Sequence, residues 1–156
     1  PFRRDRPRAG ADWGFLKKLR GEWKGNLIVK GVLDPADAKK IKESGVDAIY
    51  VSGHGARQLD SLPAPITQLP KIRKAVGKSF PLIFDTGVRN GEDIVKAYAS
   101  GADFVMLGRP VLYALGADGE RGLKTIMNYI SKEIQVTLAQ IGLSKISEVN
   151  EKNLIR

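Results

Sequence analysis

The chain holds a single histidine, His54, in "VSGHGARQLD" (51–60), flanked by Gly53 and Gly55 and followed three positions later by Arg57. A lone histidine is ordinarily structural, and the arginine changes that reading. Histidine is the side chain whose unperturbed pKa suits proton abstraction near neutrality. An arginine fork orients a carboxylate through two parallel hydrogen bonds. A base beside a fixed cation therefore suits a substrate whose carboxylate neighbours the proton to be removed. Two further segments suit a phosphate. "DTGVRNG" combines Gly87, which permits close backbone approach, with the bidentate donor Arg89, and "GRP" offers the Gly108 amide and the Arg109 guanidinium. Singly, either arginine could be a surface ion-pair residue; two together favour phosphate. Lys30 ends a buried apolar run, where an ammonium needs an anionic or carbonyl partner unless its stem carries the charge to the rim.

Composition narrows the classes. At 42% hydrophobic and 28% charged, the 156 residues suit one folded domain rather than a disordered chain. There is no cysteine, so disulfides and thiolate metal sites are excluded, and one histidine without a carboxylate cluster argues against zinc. No apolar stretch approaches the about 18 residues that cross a bilayer, and no signal peptide opens the sequence. These features suit a cytoplasmic protein. The net charge of +9 raises the question of nucleic acid, but more than half of the excess lies in residues 1–25. No aromatic–basic interleaving supports nucleic-acid binding. The opening "PFRRDRPRAG" and Ala11 (1–11) read as a basic mobile loop or truncated end, ahead of one domain over 12–156.

Strands and helices alternate beyond that point. "DWGFLKKLRGEW" (12–23) reads as an amphipathic helix capped by Asp12. "NLIVKGVL" follows as a strand buried on both faces. "DPADAKKIKESG" is punctuated by Asp34 at the cap, Pro35 in the first turn and Gly45 past the end. Strands are expected at 47–52, 81–87 and 103–109, and helices at 69–77, 90–101 and about 118–142, with one more short helix in the tail. The last long helix carries Leu123, Ile126, Met127, Ile130, Ile134, Leu138 and Ile141 on one stripe.

Four strands each followed by a helix imply an α/β fold with a parallel sheet and right-handed crossovers. An open doubly wound sheet would gather its chemistry at one switch point. Here polar, Gly-rich residues end every strand, as in a (β/α)8 barrel, whose full length of about 250 residues makes four units one half.

Taken in order, "LIVKG", "VSGHGARQLD", "FDTGVRNGEDIVKA", "GADFVMLGRPVLY" and "GERGL" resemble the FMN-dependent 2-hydroxy acid oxidases and dehydrogenases, over roughly residues 12–145. The resemblance implies the C-terminal half of a TIM barrel, strands 5–8 with their helices, and FMN as cofactor. It implies His54 as catalytic base, Arg57 as carboxylate ligand and Lys30 beside the flavin N1/C2 carbonyl. Ser52 is implied as a flavin contact, and Asp85, Thr86, Gly87, Val88 and Arg89 as the segment around the ribityl and phosphate. Gly108 and Arg109 are implied as a second phosphate clamp. Two departures matter. The usual "SNHG" is "SGHG" here, so Gly53 removes a hydrogen bond and loosens the backbone beside His54. The family's chain is also about twice as long, and its N-terminal half supplies four strands, further flavin contacts, a substrate-binding tyrosine, a second arginine and the aspartate that orients the histidine. That half is expected as a second chain or a missing segment. Some relatives are peroxisomal or membrane-associated, and a completed enzyme is expected to be a homo-oligomer, a tetramer.

The expected activity is therefore oxidation of a small 2-hydroxy acid, of the lactate or glycolate kind, to its 2-oxo acid. The isolated fragment is expected to be inactive. A half-barrel that binds FMN or phosphate without turnover is the alternative.

Overall fold

The computed structural model describes residues 11–154, so the basic opening falls outside them except for Ala11. Helices and strands alternate as α1 (Trp13–Glu22), β1 (Ile28–Val32), α2 (Pro35–Glu43), β2 (Ala48–Val51), α3 (Pro65–Val76), β3 (Leu82–Phe84), α4 (Gly91–Ala99), β4 (Phe104–Val105) and α5 (Arg109–Gln140). The tail forms two short 3-10 turns, Ile146–Glu148 and Glu151–Asn153, in place of one helix. The helix starts are encoded locally. Asp12 accepts the Phe15 amide at 2.8 Å, and Asp34 accepts those of Ala36 and Asp37 at 2.8 and 3.0 Å. Each cap satisfies amides that have no partner inside the helix.

All strand pairs are parallel, in the order β1-β2-β3-β4. Right-handed crossovers taken always in one direction place every connecting helix on the same face, which is the winding of a barrel. A doubly wound sheet would reverse its order at a switch point. On the helix face, Ile49, Val51, Leu82 and Phe84 form a core with Ala38, Ile41, Leu69, Ile72, Val76 and Ala97.

The opposite face is bare among the described residues. Ile28, Phe104 and Met106 are 46%, 56% and 41% exposed. Strands buried on both faces are therefore observed on one face only, because no described element lies on the concave side.

Several boundaries differ from expectation, and β3 covers only three residues of the expected 81–87. Helix α3 starts at Pro65 rather than 69, with Pro65 in the first turn, where a missing amide costs nothing. Strand β4 is two residues long, not seven. Helix α5 starts at Arg109 and breaks at Asp118–Gly119, where Gly119 has φ +52°; the expected start near 118 is this break. Along its second part, Ile130 and Leu138 are buried, while Met127 is 47% exposed. That part crosses α4 closely, and the Gly91 amide donates to Glu133 Oε2 at 2.9 Å.

Candidate functional site at the carboxyl ends of the strands

The strands deliver their last residues to one rim, and there the side chains form a closed circuit. Lys30 of β1 donates from Nζ to Ser52 Oγ at 3.2 Å, lies 4.0 Å from Asp85 Oδ2 and stands 4.9 Å from the centre of the Tyr50 ring. The Tyr50 hydroxyl donates to Asp85 Oδ2 at 2.9 Å. Burial pushes the Tyr50 pKa well above its ordinary value, and the Asp85 hydrogen bond and charge add to the rise, so the hydroxyl stays a neutral donor. The other Asp85 oxygen accepts from Thr86 Oγ1 at 2.8 Å. Thr86 Oγ1 in turn accepts the amides of Gly53 and Gly55 at 3.1 and 3.3 Å. Ser52 Oγ accepts the His54 amide at 3.1 Å, which returns the circuit to Lys30.

The circuit encloses an unusual turn. His54, Gly55 and Ala56 have φ of 52°, 67° and 62°, three consecutive residues in the left-handed region. For a residue with a Cβ that conformation costs about 1–2 kcal/mol. The turn is closed by the Ala56 amide on Gly53 O at 2.9 Å, and it is held from outside by Ser52 and Thr86. Strain of this kind persists where surrounding bonds over-determine it, and such places cluster at functional sites. Gly53 is buried with φ −93°, and a Cβ there would lie 3.1 Å from Pro65 Cγ. The loosening expected from this glycine is opposed by Pro65 on one side and by the Thr86 bond on the other.

The His54 side chain is exposed and lies over Gly31, where β1 bulges with φ +97°. Arg57, Arg89 and Arg109 are exposed, and none makes an ion pair among the described residues. Gly87 has φ +95°, and an added Cβ at Gly87 or Gly108 would meet nothing within 4 Å. Gly108 opens α5 without a side-chain cap, so the first amides of that helix are free to meet an anion. Val88 is 4% exposed and its side chain belongs to the core, leaving its backbone alone for any ligand.

The structure thus joins Lys30, Ser52, Asp85, Thr86 and the His54 turn in one network, and sets the three arginines apart from it, without ion pairs among the described residues. One participant escaped the sequence reading, Tyr50, and Gly31 stood in it only as a strand-end glycine. Strand alternation could have found Tyr50, which stands two residues before Ser52 on the same face. A cavity of about 470 Å³ between α1 and β1 is lined by Trp13, Phe15, Leu16, Leu19 and Ile28, and meets the network at Lys30 alone. Among the described residues no group of three or more His, Cys, Asp or Glu is gathered to hold a metal.

The family described as FMN-dependent dehydrogenase matches residues 2–156. An L-lactate dehydrogenase of Caulobacter vibrioides (strain NA1000 / CB15N) is 44% identical over 139 residues, 89% of this chain and 36% of the relative. The L-lactate dehydrogenase of Acinetobacter baylyi is 41% identical, covering 92% of this chain and 37% of the relative. A soluble mutant of the membrane-associated (S)-mandelate dehydrogenase from Pseudomonas putida superposes with a TM-score of 0.88 at 39% identity, over 93% of this chain and 41% of that one. The chain therefore spans well under half the length of the relatives it matches. A one-directional parallel sheet, polar residues gathered at the carboxyl ends of its strands and these matches agree: the chain belongs to the FMN-dependent dehydrogenase family and forms the C-terminal half of a (β/α)8 barrel.

Proposed function

We propose that this half-barrel, completed by its N-terminal half, forms an FMN-dependent oxidoreductase that converts a small 2-hydroxy acid of the lactate or glycolate kind to the 2-oxo acid. One observation carries the reading: His54 stands on a strained turn over Gly31, braced by Ser52 and Thr86, with Arg57 at its end in no ion pair among the described residues. A structural histidine needs no such support.

The residues fit FMN by the chemistry of their donors. Arg89, Arg109 and the open backbones of Gly87 and Gly108 suit its phosphate. Lys30, held by Ser52, suits the polar edge of the flavin ring, where a cation favours negative charge. Bound FMN supplies the two-electron acceptor. Arg57 binds the substrate carboxylate through its planar fork, and His54 receives the substrate proton on an imidazole nitrogen, from the α-carbon or from the hydroxyl. Ser52 and Thr86 hold the turn in place from behind.

The N-terminal half packs on the bare face at Ile28, Phe104 and Met106 and brings the aspartate that orients His54. The completed barrel assembles as a homo-oligomer. No helix among the described residues is long and apolar enough to cross a membrane, and a cytoplasmic location is part of the proposal.

The deciding experiment mixes the FMN-loaded enzyme, both halves present, with L-lactate, glycolate or mandelate without oxygen. Bleaching of the flavin absorbance by at least one of them is expected. Bound FMN that none of them reduces would replace the enzyme with the binding-only alternative.

A further inference from the structure

Thr86 has φ +74°, an outlier for a β-branched residue, and its hydroxyl is fully used. It accepts the Gly53 and Gly55 amides at 3.1 and 3.3 Å and donates to Asp85 at 2.8 Å. A hydroxyl has one proton and two lone pairs, so this set leaves nothing for a further partner. Glycine would adopt the same backbone without strain. The cost of a threonine is therefore tied to what its hydroxyl does, and the two amides it holds flank His54 on either side.

We propose that Thr86 is a positioning residue for His54, holding the left-handed turn in place through the Gly53 and Gly55 amides rather than acting as a cofactor ligand. The inference rests on the reading of His54 as base. Asp85 completes it from behind: with one oxygen on Thr86 and the other on Tyr50, its carboxylate fixes which way the threonine hydroxyl points. Without that acceptor the hydroxyl could rotate and offer its proton, instead of a lone pair, to the turn.

Thr86→Gly and Thr86→Ser in the FMN-loaded holoenzyme separate the roles. Glycine removes strain and hydroxyl together, while serine keeps the hydroxyl. In Thr86→Gly, hydrogen exchange in the 51–57 segment is expected to speed about tenfold and kcat to fall at least tenfold. Its Tm should not drop, and its FMN dissociation constant should stay within about threefold. Thr86→Ser should restore slow exchange and most of the lost kcat. Unchanged exchange and kcat in Thr86→Gly overturn the proposal. So does FMN affinity that falls in step with kcat while exchange stays slow, which would make Thr86 a cofactor contact. Equal damage in both variants also overturns it. If the unmodified holoenzyme oxidises no 2-hydroxy acid, the functional reading fails separately, and the exchange and Tm measurements still decide whether Thr86 holds the turn.

Discussion

Gly31 and His54 meet because one of them has no side chain. A Cβ on Gly31 would lie 2.5 Å from His54 Cε1, inside any real contact distance, and the φ of +97° at Gly31 already excludes a comfortable alanine. The bulge in β1 between Lys30 and Val32 places that bare backbone under the imidazole. The position of His54 is thus set by a strand that precedes it by more than twenty residues.

Gly31→Ala is accordingly expected to displace His54 and to strain the bulge. Stability should fall by about 1–3 kcal/mol, and flavin reduction by at least tenfold. Denaturant melts and anaerobic stopped-flow check the two effects. A fully active, equally stable variant would show that the imidazole does not rest on Gly31.

His54→Ala removes the proposed base and leaves the rim cations intact. FMN should remain bound, and its reduction by substrate should slow by about 10²–10⁴-fold, the span typical of general-base catalysis. Flavin reduction within tenfold of the parent would end the assignment.

Arg57 is exposed and free of ion pairs among the described residues, so its substitution should disturb little but the ligand it meets. Lysine keeps the charge and loses the planar fork. The KM for a 2-hydroxy acid should rise roughly tenfold or more, in line with about 1.5–3 kcal/mol for a hydrogen bond to a charged group. FMN affinity should hold. Equal loss of both would place Arg57 against the cofactor instead.

Gly91 tests the scaffold rather than the chemistry. A Cβ there would lie 2.5 Å from both Glu133 Cβ and the Ile134 backbone nitrogen, so α4 and α5 would have to separate. Gly91→Ala should destabilise by about 1–3 kcal/mol, as overpacking does. Thermal unfolding measures it, and an unchanged Tm would mean the helices yield freely at this crossing.

Residues 1–156 expressed alone expose Ile28, Phe104 and Met106 together with the unpaired edges of β1 and β4. Apolar faces and open edges associate. Sedimentation should show self-association that addition of the N-terminal half suppresses, and turnover should appear only with that half present. A stable, active monomer would refute this.

Much of the scaffold is written locally. Asp12 and Asp34 cap the helices they were expected to cap, and Gly45 follows the end of α2 with φ +79°. Such signals act within three or four residues of chain, so they survive without tertiary context. The gathering of Lys30, Ser52 and Asp85 at the strand ends was likewise legible, because a parallel sheet with regular crossovers brings all carboxyl ends to one rim, whereas Arg109 lies beyond β4 as the first residue of α5. The break in α5 at Asp118–Gly119 was legible as a boundary but misplaced as a beginning, since a glycine marks a discontinuity without saying whether helix continues on both sides. What only the tertiary structure decided is which neighbours those ends acquire. Tyr50 meets Asp85 across 35 residues, Thr86 meets Gly53 across 33, and the His54 turn becomes left-handed under that restraint. A hydrogen bond between strands depends on their register, and register is a property of the packed sheet. Hydrophobic pattern alone cannot fix it in runs as uniformly apolar as "AIYV" and "LIF".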